Sequence, residues 1–439
     1  MGVEQRASIM QFIIKDNLNC LRMIFKEQTK SIPITKMMVW EAYKKVKRNK
    51  GSAGVDQQTL DDFDKVRSKE LYKLWNRLAS GSYFPPEVKR VEIRKPDGKT
   101  RPLGIPTVSD RIAQQVIKVL LEPRLEAEFL ESSYGYRPKK SALSAVRKVQ
   151  ENVRKLSWVI DLDIKEFFEN VNHELLFKAL KLHVSEKWVL LYIRRWLESP
   201  VQLPDGTLVP SSGKGTPQGG VISPLLANLF MHYCFDKWLK IHYPEIEMVR
   251  YADDIIIHCR TEQEAARLLT AIKRRLTECG LTAHPEKTKV VYCKKSGRNL
   301  KGFPVQFDFL GFSFRPIRMK LKRGGSFLQF DCIMSRKSKV RITQELRKLN
   351  FHNKTQRTIQ DLATLLNPKI RGWLNYYGKI NRRCMRPVFY YLHHRTIKWV
   401  LNKYKRFKRS KIKAVQWLRW VYKSYPNLFY HWILGYQLV

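Results

Sequence analysis

Several absences narrow the possibilities for this 439-residue sequence at once. No apolar stretch runs unbroken for about 18 residues, which speaks against a membrane-crossing helix. The opening MGVEQRASIMQFIIKDN has no sustained apolar core behind a basic region, so no secretory signal is expected. The seven cysteines (Cys20, Cys234, Cys259, Cys279, Cys293, Cys332 and Cys384) are odd in number, widely spaced and without a C-x-x-C. That argues against a disulfide framework or a zinc site, and a reducing compartment fits. The thiols read as small buried apolar groups. There is no internal repeat and no low-complexity tract. Acid is scarcest of all: 39 Asp and Glu stand against 83 Lys and Arg, a net charge of +44. Between residues 331 and 439 only Asp331, Glu345 and Asp361 face 25 cations.

What is present fits a folded enzyme-sized protein. Apolar residues make up 44% and aromatics 12%, enough for packed cores. The length suggests two or three domains. A charge this large opposes compaction unless a polyanion is bound. Nucleic acid is the leading partner and a membrane surface the second.

Apolar spacing predicts helices over 4–28, 36–48, 67–80, 110–130, 174–197 and 262–279. KGSAGVD (50–56) reads as a turn. VKRVEIRKPDGKTRPLGIPT (88–107) reads as a basic hairpin around Pro96-Asp97-Gly98, and LPDGTLVP (203–210) as a second hairpin. A helix after GKGTPQGGVI is expected to start near Ser223-Pro224. GLTAHPEKTKVVY and FDFLGFSF look like short strands. Beyond about residue 330 the chain reads as a helical, basic module holding five of the 11 tryptophans.

Four carboxylates stand out. VRYADDIIIH (249–258) sets Asp253 and Asp254 between two apolar runs, like the tip of a hairpin. In WVIDLD (158–163) alternation puts Asp161 and Asp163 on one face. If the two segments lie side by side, the carboxylates converge, a cluster that divalent cations would neutralise. Mg²⁺ takes hard oxygen ligands, and two such ions can run an in-line phosphoryl transfer. An ordinary turn and a solvated strand edge fit the bare spacing as well.

Nine blocks in order carry a family resemblance: KGSAGVD, IRKPDGKTRPLGIPTVSDR, SYGYRP, DLDIKEFFENVNH, GTPQGGVISPLLANLF, YADD, GLTAHPEKTKV, FDFLGFSF and IRGWLNYYGK. Together they resemble group II intron-encoded reverse transcriptase/maturases over nearly the whole chain. The resemblance implies an α+β right-hand polymerase, with fingers and an antiparallel palm sheet, followed by an α-helical thumb/maturase (X) domain. Its implied divisions are 1–80 (N-terminal extension and start of fingers), 81–157 (fingers), 158–315 (palm with fingers insertions) and 316–439 (thumb/X). It implies Asp163, Asp253 and Asp254, with the Ile164 carbonyl, as ligands of two Mg²⁺ ions. Asp163 is chosen over Asp161 because an aromatic, Phe168, stands five positions later. Phe168 resembles the steric gate that favours deoxynucleotides. Lys95 and Arg101 match the pair that clasps the incoming triphosphate, and Gln218 lines the nucleotide pocket. Gly219 and Gly220 let backbone approach closely. Lys287 matches a lysine that protonates the leaving pyrophosphate. Arg137 is implied to touch template or nucleotide, with a structural role as the alternative. Arg371, Tyr376, Tyr377 and Lys379, and the run containing Lys405, Arg406, Lys408 and Arg409, are implied RNA contacts. Trp373 and the tyrosines also share a helix face that suits burial.

The implied function is an RNA-directed DNA polymerase that uses deoxynucleotides, binds its intron RNA, assists splicing and supports intron mobility. Its partners would be intron RNA, an RNA template with a DNA primer, and target DNA, with no membrane, in a cytoplasmic bacterial-type ribonucleoprotein. A splicing chaperone without catalysis, and a domesticated defence or repair reverse transcriptase, remain alternatives. Oligomeric state is open, a homodimer included. The sequence to Val439 contains no Cys/His cluster of the HNH endonuclease kind, which implies a primer from elsewhere, such as a nascent strand at a replication fork.

Overall fold

The computed structural model describes residues 31–94, 98, 100–295, 302–321 and 324–436. The helix expected over 4–28, Cys20 and Lys95 lie outside the described residues. The chain forms two compact units, each assembled from separated stretches. The first draws on Met1–Pro138, Ile164–Glu245 and Ala271–His284; the second on Lys139–Asp163, Ile246–Thr270 and Pro285–Val439.

In the first unit the basic hairpin forms as expected. Strands Val88–Arg94 and Thr100–Ile105 pair antiparallel, with Val91 opposite Leu103. Val88 pairs parallel with Val201, and Val201–Gln202 pairs with Leu208–Val209 across the Asp205-Gly206 turn, closing a four-stranded sheet. Helix Val108–Glu126 begins at Thr107, whose side chain accepts from the Asp110 N–H. Ile112, Ala113, Val116, Ile117 and Leu121 are buried along it at helical spacing. The expected helix over 174–197 is two, His173–Lys181 and Lys187–Glu198, because Val184 turns into the core between them. Helix Ser223–Met231 starts where Ser223-Pro224 indicated.

One polar group sits deep in that unit. Asp110 is 1% exposed, and its carboxylate accepts from Tyr83 Oη (2.8 Å), Trp196 Nε1 (2.7 Å) and Gln114 Nε2 (2.9 Å). Burial still outweighs these donors and pushes its pKa up to about 6.

The second unit centres on a four-stranded antiparallel sheet in the order Glu247–Tyr251, Asp254–Cys259, Trp158–Asp163, Lys289–Tyr292. Val159, Ile160, Ile255, Ile256 and Ile257 are buried in its two inner strands, as β-branched residues in a covered sheet should be. Helix Ala142–Lys155 packs on this sheet through buried Val146, Val149 and Val153. Gln150 and Arg154 of the same helix reach Asp331 at 2.6 and 3.0 Å. Asp331 belongs to a second sheet, formed by Phe307–Phe309, Phe312–Lys320 and Ser326–Met334. FDFLGFSF is thus a tight hairpin, turned by Leu310 (φ +48°) and Gly311 (φ +81°). From GLTAHPEKTKVVY only Lys289–Tyr292 is a strand, since the Pro-Glu-Lys-Thr stretch makes the preceding turn. Helices Arg336–Lys348, Ile359–Trp373, Arg386–Lys403 and Lys411–Ser424 then form the expected helical module, packed around fully buried Leu346, Phe351, Leu366, Ile370 and Trp399. Among the described residues, no helix is long and apolar enough to cross a membrane.

Asp110 gives stability a pH dependence. Its folded pKa of about 6 lies above the ordinary 3.8, so the folded protein holds a proton that the unfolded chain releases. The associated stability is complete below the unfolded value and is lost as pH rises through about 6. A rise of that size corresponds to about 3 kcal/mol. Denaturant unfolding of wild type and Asp110→Asn at pH about 4 and about 7 should show the gap between them moving by about 2 kcal/mol in favour of the variant at the higher pH. A gap that does not move would mean that the carboxylate is not desolvated.

Candidate active site

The second unit brings the acidic residues together. In the pairing of Trp158–Asp163 with Asp254–Cys259, Asp163 falls directly opposite Asp254. Asp161 is two positions inside the sheet, opposite Ile256 on one side and Lys289 on the other. The register therefore sets Asp163, and not Asp161, against the tip that carries Asp253 and Asp254. That tip is a two-residue turn, Ala252-Asp253, closed by the Tyr251–Asp254 pair. Ala252 takes φ +58°, the left-handed conformation that such a turn demands and alanine resists.

Cations from the neighbouring segment meet these carboxylates. Lys287 Nζ lies 2.8 Å from Asp163 Oδ2, and Lys289 Nζ lies 3.6 Å from Asp161 Oδ2. Thr288 Oγ1 donates to the Asp163 carbonyl (3.3 Å). The backbone N–H of Asp163 donates to the same hydroxyl at 3.4 Å. Burial first, then the Asp253, Asp163 and Asp161 charges, push the Asp254 pKa up to about 7, with Lys287 opposing. Asp254 nonetheless keeps exposed surface at the tip, so the mutual repulsion is the cause that matters most for its reactivity. Asp161 is pushed up to about 6 chiefly by burial, with Lys289 lowering it. As the side chains stand, no group of three His, Cys, Asp or Glu among the described residues is drawn close enough to hold a metal ion. Carboxylate oxygens that repel one another are the donor type that hard divalent cations take in general.

The first unit holds the Gly-rich loop. The Gly104 N–H donates to the Gln218 carbonyl at 2.7 Å, which fastens the loop to the basic hairpin. Gly219 has φ +120°, and a Cβ there would stand 2.2 Å from the Gly104 oxygen, so only glycine fits. Arg101 Nε donates to Gln218 Oε1, joining two residues that sequence reasoning placed at the nucleotide. Lys95, their expected companion, is outside the described residues. Phe168 lies on the turn Phe167–Glu169, is 7% exposed, and its carbonyl accepts from Thr216 N at 2.7 Å. A cleft of about 290 Å³ opens beside the loop, lined by Gly104, Glu169, Lys214, Thr216, Pro217 and Gln218.

Two expected RNA contacts, Arg137 and Tyr377, are buried, and a third, Tyr376, is half-buried. Arg137 is a correction: its side chain is 3% exposed and pairs with Glu126 at 2.7 Å. It also donates to the carbonyls of Leu130, Ser133 and Phe129, so its donors are spent inside the protein. Tyr377 is buried too (3% exposed), while Tyr376 keeps exposed surface beside a cleft that it lines with Trp373 and Arg341. Both rings pack on Phe312, at 5.5 and 5.3 Å between centroids. Tyr376 Oη donates to the Leu310 carbonyl (2.8 Å), and Tyr377 Oη accepts from Arg341 (3.1 Å). Burial closes the Tyr377 ring to stacking by a base, and Tyr376 keeps only part of its ring exposed. The cations differ: Arg371, Lys379, Lys405, Arg406, Lys408 and Arg409 are all exposed, while Phe407 anchors the basic run from below. Sequence reasoning did not single out Trp420, 57% exposed on helix Lys411–Ser424, or Thr288, whose hydroxyl meets the Asp163 backbone.

The reverse transcriptase (RNA-dependent DNA polymerase) family model matches residues 93–314, and the model for the group II intron maturase-specific domain matches residues 339–417. The chain is 38% identical over 179 residues to Protein YkfC of Escherichia coli K12, covering 40% of this chain and 46% of that protein. The chain thus spans less than half the length of that relative. It is 25% identical over 452 residues to the group II intron-encoded protein LtrA of Lactococcus lactis subsp. cremoris, covering 83% of this chain and 72% of that protein. A solved telomerase from Candida albicans is similar at 13% identity and a TM-score of 0.44, over 82% of this chain and 67% of that one.

The position of Arg137 has a measurable consequence. Arg137→Met should destabilise the fold by about 2–4 kcal/mol, because Glu126 and three carbonyls lose their donor together. The RNA affinity of the folded variant, measured by filter binding, should match wild type; a selective loss of affinity at full stability would restore Arg137 to the RNA surface.

Proposed function

The chain belongs to the reverse transcriptase family, and from that premise we propose that it is an RNA-directed DNA polymerase that works with a group II intron RNA. The observation that carries this reading is the register that sets Asp163 against Asp254 at the Asp253-Asp254 tip. Asp163, Asp253 and Asp254, with the adjacent Ile164 carbonyl, would hold two Mg²⁺ ions. Such ions supply charge neutralisation of the phosphates and activation of the primer 3′-hydroxyl.

The chain's own groups have separable tasks. Arg101, with Lys95, neutralises and orients the triphosphate of a deoxynucleotide by charge-assisted contacts. Gln218, already bonded to Arg101, holds that cation toward the Gly-rich loop. Lys287, an exposed ammonium beside Asp163, is placed in this reading to give its proton to the leaving pyrophosphate. The Phe168 ring closes on the sugar and excludes a 2′-hydroxyl. In this reading residues 81–157 serve as fingers, 158–315 as palm and 316–439 as thumb and maturase domain. The exposed cations Arg371, Lys379, Lys405, Arg406, Lys408 and Arg409 bind intron and template phosphates, releasing counterions as they do.

Primer extension on an RNA template with Mg²⁺ and deoxynucleotides tests the proposal. Asp253→Asn should abolish extension and leave RNA binding nearly unchanged, because one carboxylate is lost and the basic surface is not. Extension by that variant would refute the assignment. Splicing stimulation without any extension by wild type would leave a non-enzymatic RNA chaperone. Phe168→Ala should raise ribonucleotide use relative to deoxynucleotide use by roughly tenfold; an unchanged ratio would return Phe168 to a packing role.

A further inference from the structure

The Gly-rich loop is fastened from behind by a buried chain of hydrogen bonds. Gln114, 4% exposed, lies one turn beyond Asp110 on helix Val108–Glu126. Its Oε1 accepts from the N–H groups of Val221 (2.7 Å) and Ile222 (3.3 Å), the two peptides that follow Gly219-Gly220. Its Nε2 donates to Asp110 Oδ2 at 2.9 Å, while Asp110 Oδ1 is held by Tyr83 and Trp196. The amide has one possible orientation, since a carboxylate only accepts and a peptide N–H only donates. Gly220 is pressed against this arrangement: a Cβ there would lie 2.5 Å from Ser223 Oγ and 3.2 Å from Gln114 Oε1. On its other side the loop is held by Gly104 through the Gln218 carbonyl.

We propose that Asp110 and Gln114 are positioning residues for nucleotide binding, which act through the Pro217–Val221 loop on Gln218 and Arg101. The inference rests on the reading of Gln218 and Arg101 as nucleotide contacts. Both positioning residues are buried, so neither touches the nucleotide; the loop transmits their effect. Loosening the Val221 and Ile222 peptides frees the segment that presents Gln218, and with it the partner of Arg101. The rest of the polymerase machinery is left in place, so binding of the nucleotide suffers and turnover of the bound nucleotide does not.

The polarity of the chain supplies the test. Gln114→Glu sets two carboxylates face to face, and Asp110→Asn sets two amide donors face to face. The double variant D110N/Q114E reverses that one bond and keeps all the others. The amide introduced at position 110 donates to the carboxylate introduced at position 114, and the second oxygen of that carboxylate still accepts from Val221 and Ile222. In steady-state primer extension each single variant should raise the deoxynucleotide KM by roughly tenfold with kcat within about twofold of wild type. The double variant should return KM to within about twofold. Single variants with normal KM, or a double variant that keeps a raised KM or does not fold, overturn the proposal. Gln218→Ala, measured alongside, separates the two levels. A normal KM in that variant defeats the reading of the loop as a nucleotide contact. A raised KM there, beside unaffected singles at positions 110 and 114, defeats the relay alone.

Discussion

Two carboxylates that face each other across paired strands repel, and the second unit is built around that repulsion. Asp163 and Asp254 are in register at the open end of the sheet, and Asp253 crowds them from the turn. The two strands are held in that register by side chains packed on both faces, Val159 and Ile256 as well as Ile160, Ile255 and Ile257. The sheet relieves the repulsion with charge. Lys287 and Lys289, two positions apart in the segment leading into and beginning strand Lys289–Tyr292, each reach one aspartate of the central strand. Burial, and the carboxylate charge that the lysines leave uncompensated, together raise the pKa of Asp254.

Much of this was legible in the sequence where local chemistry decides the outcome. Asp205-Gly206 gave its hairpin, Thr107 and Ser223-Pro224 their helix starts, and the apolar runs around Asp253-Asp254 their paired strands. The facing of Asp163 and Asp254 could be suspected from alternation, but register depends on a strand ninety residues away, which no local pattern contains. The aromatic residues were read less well. Tyr376 and Tyr377 alternate with cations in a way that suits an RNA surface, yet Phe312 in the preceding sheet claims both rings. Arg137 was ambiguous for the same reason: an arginine's partners are set by the fold, and here Glu126 and three carbonyls surround it. The buried Asp110–Gln114 chain was invisible, because a polar pair one helical turn apart ordinarily faces water.

The C-terminal module reconciles an extreme charge with an ordinary core. After Asp361 the sequence holds no acidic residue, so its lysines and arginines have few carboxylates to pair with; Lys369 reaches back to Glu345. Several lie over rings instead: Arg371 over Tyr430 at 5.0 Å and Arg406 over Phe407 at 4.7 Å. These rings hold the cations outward while Trp399, Phe429 and Trp432 fill the interior. The surface that results is cationic and supported from beneath by aromatic packing, which suits a polyanion with both phosphates and bases to offer.

The order in which the central sheet is assembled bears on how the protein leaves the ribosome. Strand Trp158–Asp163 lies between Asp254–Cys259 and Lys289–Tyr292, so both of its edges await chain that is made about 90 residues or more afterwards. At ordinary elongation rates that is a delay of about 5 to 20 seconds. Through that interval an apolar segment, Trp158 to Leu162, has two open edges, the circumstance in which nascent chains pair with one another. Asp161 within it and Asp163 at its end set charge in and beside the segment, the kind of residue that keeps apolar strands from pairing. The carboxylates therefore guard the strand against self-association before there is any sheet for them to serve.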